Sequence, residues 1–150
     1  MYDTPYPHAP KIVLITGATG DFGKAFARRF AAIGSKLILV ARNAKKAEAL
    51  KDDLIKEYDA DVHLCVFDIR DRDAMEQAID GLPEDFKNID LLINNAGLAL
   101  GLDPAQSCDL DDWETMVAVN NTALIRMTRL VLRGMAERKA GHVINIGSTA

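Results

Sequence analysis

The sequence has little of what marks several classes of protein. Its 2 cysteines, Cys65 and Cys108, have none of the spacings that are typical of a metal site. Its formal net charge of −4 leaves no excess of basic residues to hold a nucleic-acid backbone. No apolar run approaches the ~20 residues that a membrane-spanning helix needs. We therefore expect a reduced, cytoplasmic protein that binds no metal, nucleic acid or membrane.

The first ten residues also lack a basic segment followed by an apolar one, so they do not resemble a secretory signal peptide. Their three prolines predict an extended tail over residues 1–10, which leaves residues 11–150 as one domain. Hydrophobic residues make up 49% of the sequence and charged residues 27%. These fractions are ordinary for a globular protein and unlike those of a disordered one.

Short apolar runs alternate with longer amphipathic segments along the chain. The apolar runs predict strands over residues 11–16, 37–40, 62–67, 91–93 and 143–146. The amphipathic segments predict helices over residues 21–33, 44–58, 71–80 and 111–139. Uninterrupted Val, Ile and Leu runs indicate strands that are buried on both faces, so the sheet should be parallel and covered by helices. The predicted fold class is α/β with a doubly wound parallel sheet, truncated after the fifth strand.

Two helix ends carry recognisable signals. Asp73 and Glu76 resemble a capping pair near the start of the third helix. Gly141 fits as the residue that ends the fourth helix.

A glycine-rich loop joins the first predicted strand to the first helix. It reads Thr16-Gly17-Ala18-Thr19-Gly20-Asp21-Phe22-Gly23. Glycines at such a turn let backbone N–H groups approach a pyrophosphate at a helix N-terminus, where the helix dipole favours anions. The alternative is a glycine-rich turn that binds no ligand. The position directly after the first strand favours a dinucleotide site.

This loop resembles the TGxxxGxG signature of the short-chain dehydrogenases/reductases. Asn94-Asn95-Ala96-Gly97, directly after the fourth strand, resembles the family's NNAG motif. Asp68 and Ile69, at the end of the third strand, match its adenine-contacting aspartate and the residue after it. The resemblance covers the chain after the tail. It implies an incomplete Rossmann domain whose strands lie in the order 3-2-1-4-5, with the fifth strand at an edge.

One position of the loop departs from the family pattern. The middle glycine of the signature falls on Asp21, and Gly20 stands one place earlier, as if the two had been exchanged. Glycine permits a close approach of the backbone to the cofactor, whereas a carboxylate brings a negative charge towards a pyrophosphate. Asp21 could also simply cap the first helix.

The end of the second strand indicates which nicotinamide cofactor binds. NAD enzymes usually carry an acidic residue there, but this chain has Ala41, followed by Arg42 and Asn43. A guanidinium can hold the 2′-phosphate of NADP with two hydrogen bonds. The alternative is that Arg42 is a solvated residue at a strand end. The pattern predicts NADP. The predicted cofactor-binding residues are Gly17, Ala18, Thr19, Gly20, Asp21, Phe22, Gly23, Arg42, Asn43, Asp68, Ile69, Asn95, Ala96 and Gly97.

The resemblance also implies a catalytic set. Ser148 and Asn120 stand at the family's serine and asparagine positions, where the serine hydrogen-bonds the substrate oxygen and the asparagine holds a water. The family's proton donor is the tyrosine of a Tyr-x-x-x-Lys pair. None of the 3 tyrosines here is followed by a lysine at the fourth position. We therefore expect the chain to be a fragment that is inactive alone.

Within the family, the stretches NNAGLALG, DWETM, MTR and GHVINIGSTA resemble the NADP-dependent 3-hydroxy acid dehydrogenases. This resemblance implies interconversion of a hydroxy acid, such as serine, allo-threonine or 3-hydroxypropionate, and its 3-oxo acid or semialdehyde. It also implies that the full-length protein is a homo-oligomer. Two alternatives stay open. The protein could be another carbonyl or 3-oxoacyl reductase of the superfamily, or the chain could be a non-catalytic nucleotide-binding fragment.

Overall fold

A computed structural model describes residues 9–101 and 103–148, so most of the predicted tail lies outside the described residues. A parallel sheet of five strands forms its centre. The strands are β1 (Ile12–Thr16), β2 (Lys36–Ala41), β3 (Val62–Val66), β4 (Leu91–Asn94) and β5 (His142–Asn145). Their order across the sheet is β3-β2-β1-β4-β5, so β5 lies at one edge. All four strand pairs are parallel.

Helices cover both faces of the sheet. They are α1 (Asp21–Ala31), α2 (Ala44–Tyr58), α3 (Arg72–Asp80), α4 (Leu110–Val117) and α5 (Leu124–Arg138), with a short 3-10 turn at Glu84–Phe86. Alternate strand residues face opposite ways, and two buried clusters result. One contains Leu14 with residues of α3 and α5, and the other contains Val13 with residues of α1 and α2. The predicted doubly wound α/β fold is confirmed.

Three predicted helix ends are wrong. Helix α1 ends at Ala31 and not at residue 33, because the chain turns at Gly34 with φ +82°. Helix α3 is capped by Asp71, whose side chain accepts a hydrogen bond from the Ala74 N–H, while Glu76 pairs with Arg72. The predicted capping pair therefore does not form.

The end of α5 does not involve Gly141 either. Lys139 takes the left-handed conformation there, with φ +53° and its N–H bonded to the Ala136 carbonyl. Gly141 lies two residues later, with φ +150°. A Cβ at Gly141 would lie 2.4 Å from Met135 Cγ. Glycine is thus required at this position for packing against the helix that has just ended.

The helix predicted over residues 111–139 is interrupted. Between α4 and α5 the chain forms a π-helical turn over Ala118–Ala123. Neither Gly nor Pro marks the interruption, so the sequence carried no signal for it. Such turns are rare and occur frequently at functional sites. This one contains Asn120, a predicted catalytic residue.

The described residues contain no helix that is long and apolar enough to cross a membrane. Nor do they include a group of three or more His, Cys, Asp or Glu side chains that could hold a metal ion.

Candidate dinucleotide-binding site

A cleft of about 720 Å³ opens at the carboxyl ends of β1 to β4. Strand β1 has β2 on one side and β4 on the other, so the strand order reverses at this point of the sheet. Ligands of open α/β sheets bind at such a switch point. The predicted cofactor residues that line the cleft are Gly17, Thr19, Gly20, Asp21, Phe22, Arg42, Asn43, Asp68, Ile69, Asn95, Ala96 and Gly97.

Two predicted residues, Ala18 and Gly23, do not line the cleft. Ala18 is fully buried, and its N–H donates to the Val40 carbonyl at 3.1 Å, which ties the loop to β2. Gly23 is buried in α1, where a Cβ would lie 2.3 Å from the Gly17 carbonyl oxygen. These residues shape the loop and let α1 pack closely against it.

The glycine loop needs glycine at two of its three glycine positions. Gly17 has φ +63°, and a Cβ there would lie 2.8 Å from Ala96 Cα. Gly23 is closed to any side chain for the reason given above. Gly20, in contrast, has φ −75°, and its nearest neighbour would be the Gly17 carbonyl oxygen at 3.4 Å, an ordinary contact. A side chain therefore fits at residue 20.

Asp21 does not cap α1. Gly20 is the N-cap residue and makes no side-chain bond, and Asp21 is the first residue of the helix. Its carboxylate is exposed in the first turn, where the helix dipole favours a negative charge. The next residue, Phe22, is 71% exposed at the rim of the cleft. Both side chains are thus available to whatever approaches the N-terminus of α1.

The loop after β4 is fastened to the glycine loop by hydrogen bonds. The Thr16 hydroxyl oxygen accepts from the N–H groups of Asn95 and Ala96, both at 3.0 Å. The Asn95 side chain donates back to the carbonyls of Thr16 and Gly17 at 3.0 and 3.2 Å. Thr16 is buried and was not predicted to take part. Its sequence signal is a hydroxyl residue at the end of an otherwise apolar strand.

Cationic side chains lie just after the carboxyl end of β2 and in the first turn of α2. Arg42 is exposed next to the buried Ala41. Asn43 caps α2, with its side-chain oxygen accepting from the Lys46 N–H at 2.9 Å. Lys46 also lines the cleft and was missed from the sequence. The first turn of α2 contains no acidic residue, so this corner of the cleft suits an anion.

At the end of β3, Asp68 is paired with Arg70. The guanidinium donates to both carboxylate oxygens, and its shortest contact is Nη2 to Oδ2 at 2.6 Å. This hydrogen bonding lowers the pKa of Asp68 to about 2, against a smaller opposing effect of burial. Ile69 packs against the core below. Arg70 also lines the cleft, although it was not predicted from the sequence.

The predicted catalytic residues lie outside the lining of the cleft. Asn120 makes a pair of hydrogen bonds with the backbone of Leu98, accepting from its N–H at 2.9 Å and donating to its carbonyl at 2.8 Å. Leu98 itself lines the cleft, so the π-helical turn is held against the cleft wall. Ser148 is exposed and lies three residues after β5, at the carboxyl end of that strand.

Comparison with known proteins gives consistent matches. The sequence profile of the family described as short chain dehydrogenase matches residues 11–150. The NADP-dependent 3-hydroxy acid dehydrogenase YdfG of Salmonella typhimurium is 51% identical over 139 residues, which are 93% of this chain and 54% of that protein. Sulfoacetaldehyde reductase 2 of Chromohalobacter salexigens is 46% identical over 140 residues, which are 93% of this chain and 55% of that protein.

A solved structure agrees with these relatives. The closed form of serine dehydrogenase complexed with NADP+ is 48% identical, with a TM-score of 0.86 over 92% of this chain and 54% of that one. The chain spans about half the length of the curated relatives it matches. The resemblance predicted from the sequence motifs is confirmed. With the glycine loop, the NNAG loop and the sheet in place, the chain belongs to the short chain dehydrogenase family.

Proposed function

We propose that the protein is an NADP-dependent oxidoreductase that interconverts a 3-hydroxy acid and its 3-oxo acid or semialdehyde. The proposal rests on the cleft. The N-terminus of α1, where an anion is favoured, lines the same cleft as the cationic side chains of Arg42 and Lys46. The identity to a 3-hydroxy acid dehydrogenase over 139 residues supports the reaction class.

The residues of the cleft fit NADP. The start of α1, with its closely packed glycine loop, would hold the pyrophosphate. Arg42 would hold the 2′-phosphate, with Lys46 beside it. Asp68 and Ile69 would contact the adenine, and Asn95, Ala96 and Gly97 would line the path to the nicotinamide. When bound, NADP supplies or accepts the hydride.

Ser148 and Asn120 are proposed to act on the substrate side. Ser148 would donate a hydrogen bond to the substrate oxygen, where negative charge develops in the transition state. Asn120 would hold a water, and its two bonds to Leu98 would fix the side chain that does so. We propose that the whole protein supplies the proton from a Tyr-x-x-x-Lys pair, which residues 1–150 do not contain. Residues 1–150 alone should then turn over no hydroxy acid.

Serine, allo-threonine and 3-hydroxypropionate are the proposed substrates. The likeness to sulfoacetaldehyde reductase 2 favours a second candidate, a carbonyl reductase that acts on a small anionic aldehyde. The test is NADP reduction by the whole protein with each hydroxy acid and, in the reverse direction, NADPH oxidation with sulfoacetaldehyde. Turnover of a hydroxy acid supports the first candidate, and turnover of sulfoacetaldehyde alone supports the second. Binding of NADP without turnover of any of them supports a non-catalytic nucleotide-binding protein.

We also propose that the whole protein is a homo-oligomer in the cytoplasm. Large apolar side chains are exposed along α4 and α5, among them Leu110, Val117 and Ile125. Such a surface is typical of a protein interface. Val117→Asp should shift the elution of the whole protein towards the monomer in size-exclusion chromatography. Ile55→Asp, at an exposed apolar residue of α2, is the matched control and should leave the elution unchanged.

A further inference from the structure

The Asp68 carboxylate is held by Arg70 from two directions. The guanidinium Nε donates to Oδ1 at 3.0 Å and to Oδ2 at 3.2 Å, and Nη2 donates to Oδ2 at 2.6 Å. The backbone N–H of Arg70 also donates to Oδ1 at 3.0 Å. A single residue therefore fixes both the position and the plane of the carboxylate.

The backbone that carries this pair is anchored to the rest of the fold. Arg126 of α5 donates from Nη1 to the Arg70 carbonyl oxygen at 3.3 Å. Ile69, between the two paired residues, packs against the buried cluster beneath the sheet. Both side chains of the pair line the cleft. The pair is thus a supported feature of the cleft wall, unlike an ion pair between two free surface side chains.

The hydrogen bonds leave room for one more donor. An ionised carboxylate offers about four lone-pair sites and donates nothing. Three N–H hydrogens of Arg70 point at the two oxygens, with the Nε hydrogen shared between them. Because one hydrogen serves two of these four contacts, the Oδ2 site of the longer Nε contact, at 3.2 Å, is the one that a donor from the cleft can take. The low pKa of Asp68, about 2, keeps the carboxylate ionised as an acceptor throughout the neutral range.

We propose that Arg70 is a positioning residue, which aims the Asp68 carboxylate at the 6-amino group of the cofactor's adenine. The site then selects a purine that carries an amino group over one that carries an oxygen at that position. The inference rests on the proposed function, because it needs the adenine of NADP to lie against Asp68. Arg70 acts through Asp68 and needs no contact with the reacting atoms.

The test compares NADPH with its deamino analogue, in which hypoxanthine replaces adenine. The two dinucleotides have the same charge, so a general loss of positive charge at the site weakens both equally. Dissociation constants are measured by calorimetry on the whole protein. The wild type should bind the analogue about tenfold more weakly, as expected for one hydrogen bond to a charged group. In Arg70→Gln this ratio should fall to about twofold or less.

Two further variants sharpen the test. Arg70→Lys keeps the charge but cannot donate to both oxygens side by side, so its ratio should lie between those of the wild type and Arg70→Gln. Arg72→Gln is the matched control, because Arg72 is exposed and pairs with Glu76 on α3. Its ratio should equal that of the wild type.

The outcomes separate the inference from the proposed function. A wild-type ratio in both Arg70 variants would overturn the inference, as would equal binding of the two dinucleotides by the wild type. If Asp68→Asn binds the two dinucleotides equally while Arg70→Gln keeps the wild-type ratio of dissociation constants, Asp68 acts without Arg70. Failure of the wild type to bind either dinucleotide would instead contradict the proposed function.

Discussion

The two halves of the cleft are built from different kinds of contact. In the glycine-loop half, residues 16–23 and 95–97, backbone atoms lie so close to Gly17 and Gly23 that neither position has room for a side chain. In the cationic half, which consists of Arg42, Lys46, Arg70 and Asp68, charged side chains line the cleft at the ends of β2 and β3. The first half should tolerate almost no change at Gly17 and Gly23, because steric contact with backbone atoms sets its shape there. The second should tolerate substitution and change only what binds.

The largest expected effect comes from adding one methyl group to the glycine-loop half. In Gly23→Ala the new Cβ would lie 2.3 Å from the Gly17 carbonyl oxygen and 2.8 Å from Ala18. Both neighbours are backbone and cannot rotate away. The free energy of unfolding should fall by about 3 kcal/mol, measured by urea denaturation. Gly20→Ala is the control and should cost under about 1 kcal/mol. Similar losses in the two variants would contradict the steric account.

The hydroxyl of Thr16 gives the second effect in the same half. Thr16→Val keeps the shape of the side chain but removes the acceptor of the Asn95 and Ala96 N–H groups. Leaving two partly buried donors unpaired should cost about 2 kcal/mol, read from the same denaturation curves. Thr16→Ser retains the acceptor and should lose less. Unchanged stability in Thr16→Val would show that the two loops are not held together in this way.

The charged side chains of the cationic half should act on cofactor specificity. Ala41→Asp combined with Arg42→Ala should invert the preference of the whole protein from NADPH to NADH. The change removes the proposed ligand of the 2′-phosphate and supplies an acceptor for the ribose hydroxyl. We expect NADPH binding to weaken by about tenfold or more, with kcat/KM for the two cofactors as the measurement. Lys45→Ala, in the first turn of α2, is the control. A double variant that still prefers NADPH would refute the role of Arg42.

The smallest effect is expected at the exchanged pair of the glycine loop, Gly20 and Asp21. Gly20→Asp with Asp21→Gly restores the order of the family signature, and residue 20 has room for a side chain. If Asp21 repels the pyrophosphate, NADPH binding should improve by about 1 kcal/mol, measured by calorimetry. Equal dissociation constants would show that the loop accommodates the carboxylate.

The sequence predicted those parts that depend on local pattern. The apolar runs at residues 11–16 and 37–40 identified buried parallel strands, because both faces of the sheet are covered. The order of the motifs then placed most of the predicted cofactor residues around one cleft, since the carboxyl ends of neighbouring parallel strands meet there.

The parts that were missed depend on contacts between distant segments. Thr16 matters because Asn95 and Ala96 come to lie beside it, and the π-helical turn at Asn120 comes with contacts to Leu98, 22 positions earlier. Lys46 and Arg70 look like ordinary solvated charges until the fold brings them to the cleft. Periodicity and capping signals carry no information about such contacts.

The most direct test of the account is a crystal structure of the whole protein with NADP+. We expect the pyrophosphate at the start of α1, the 2′-phosphate against Arg42 with Lys46 beside it, and the adenine against Asp68. A cofactor bound with its 2′-phosphate away from Arg42, or bound outside this cleft, would contradict it.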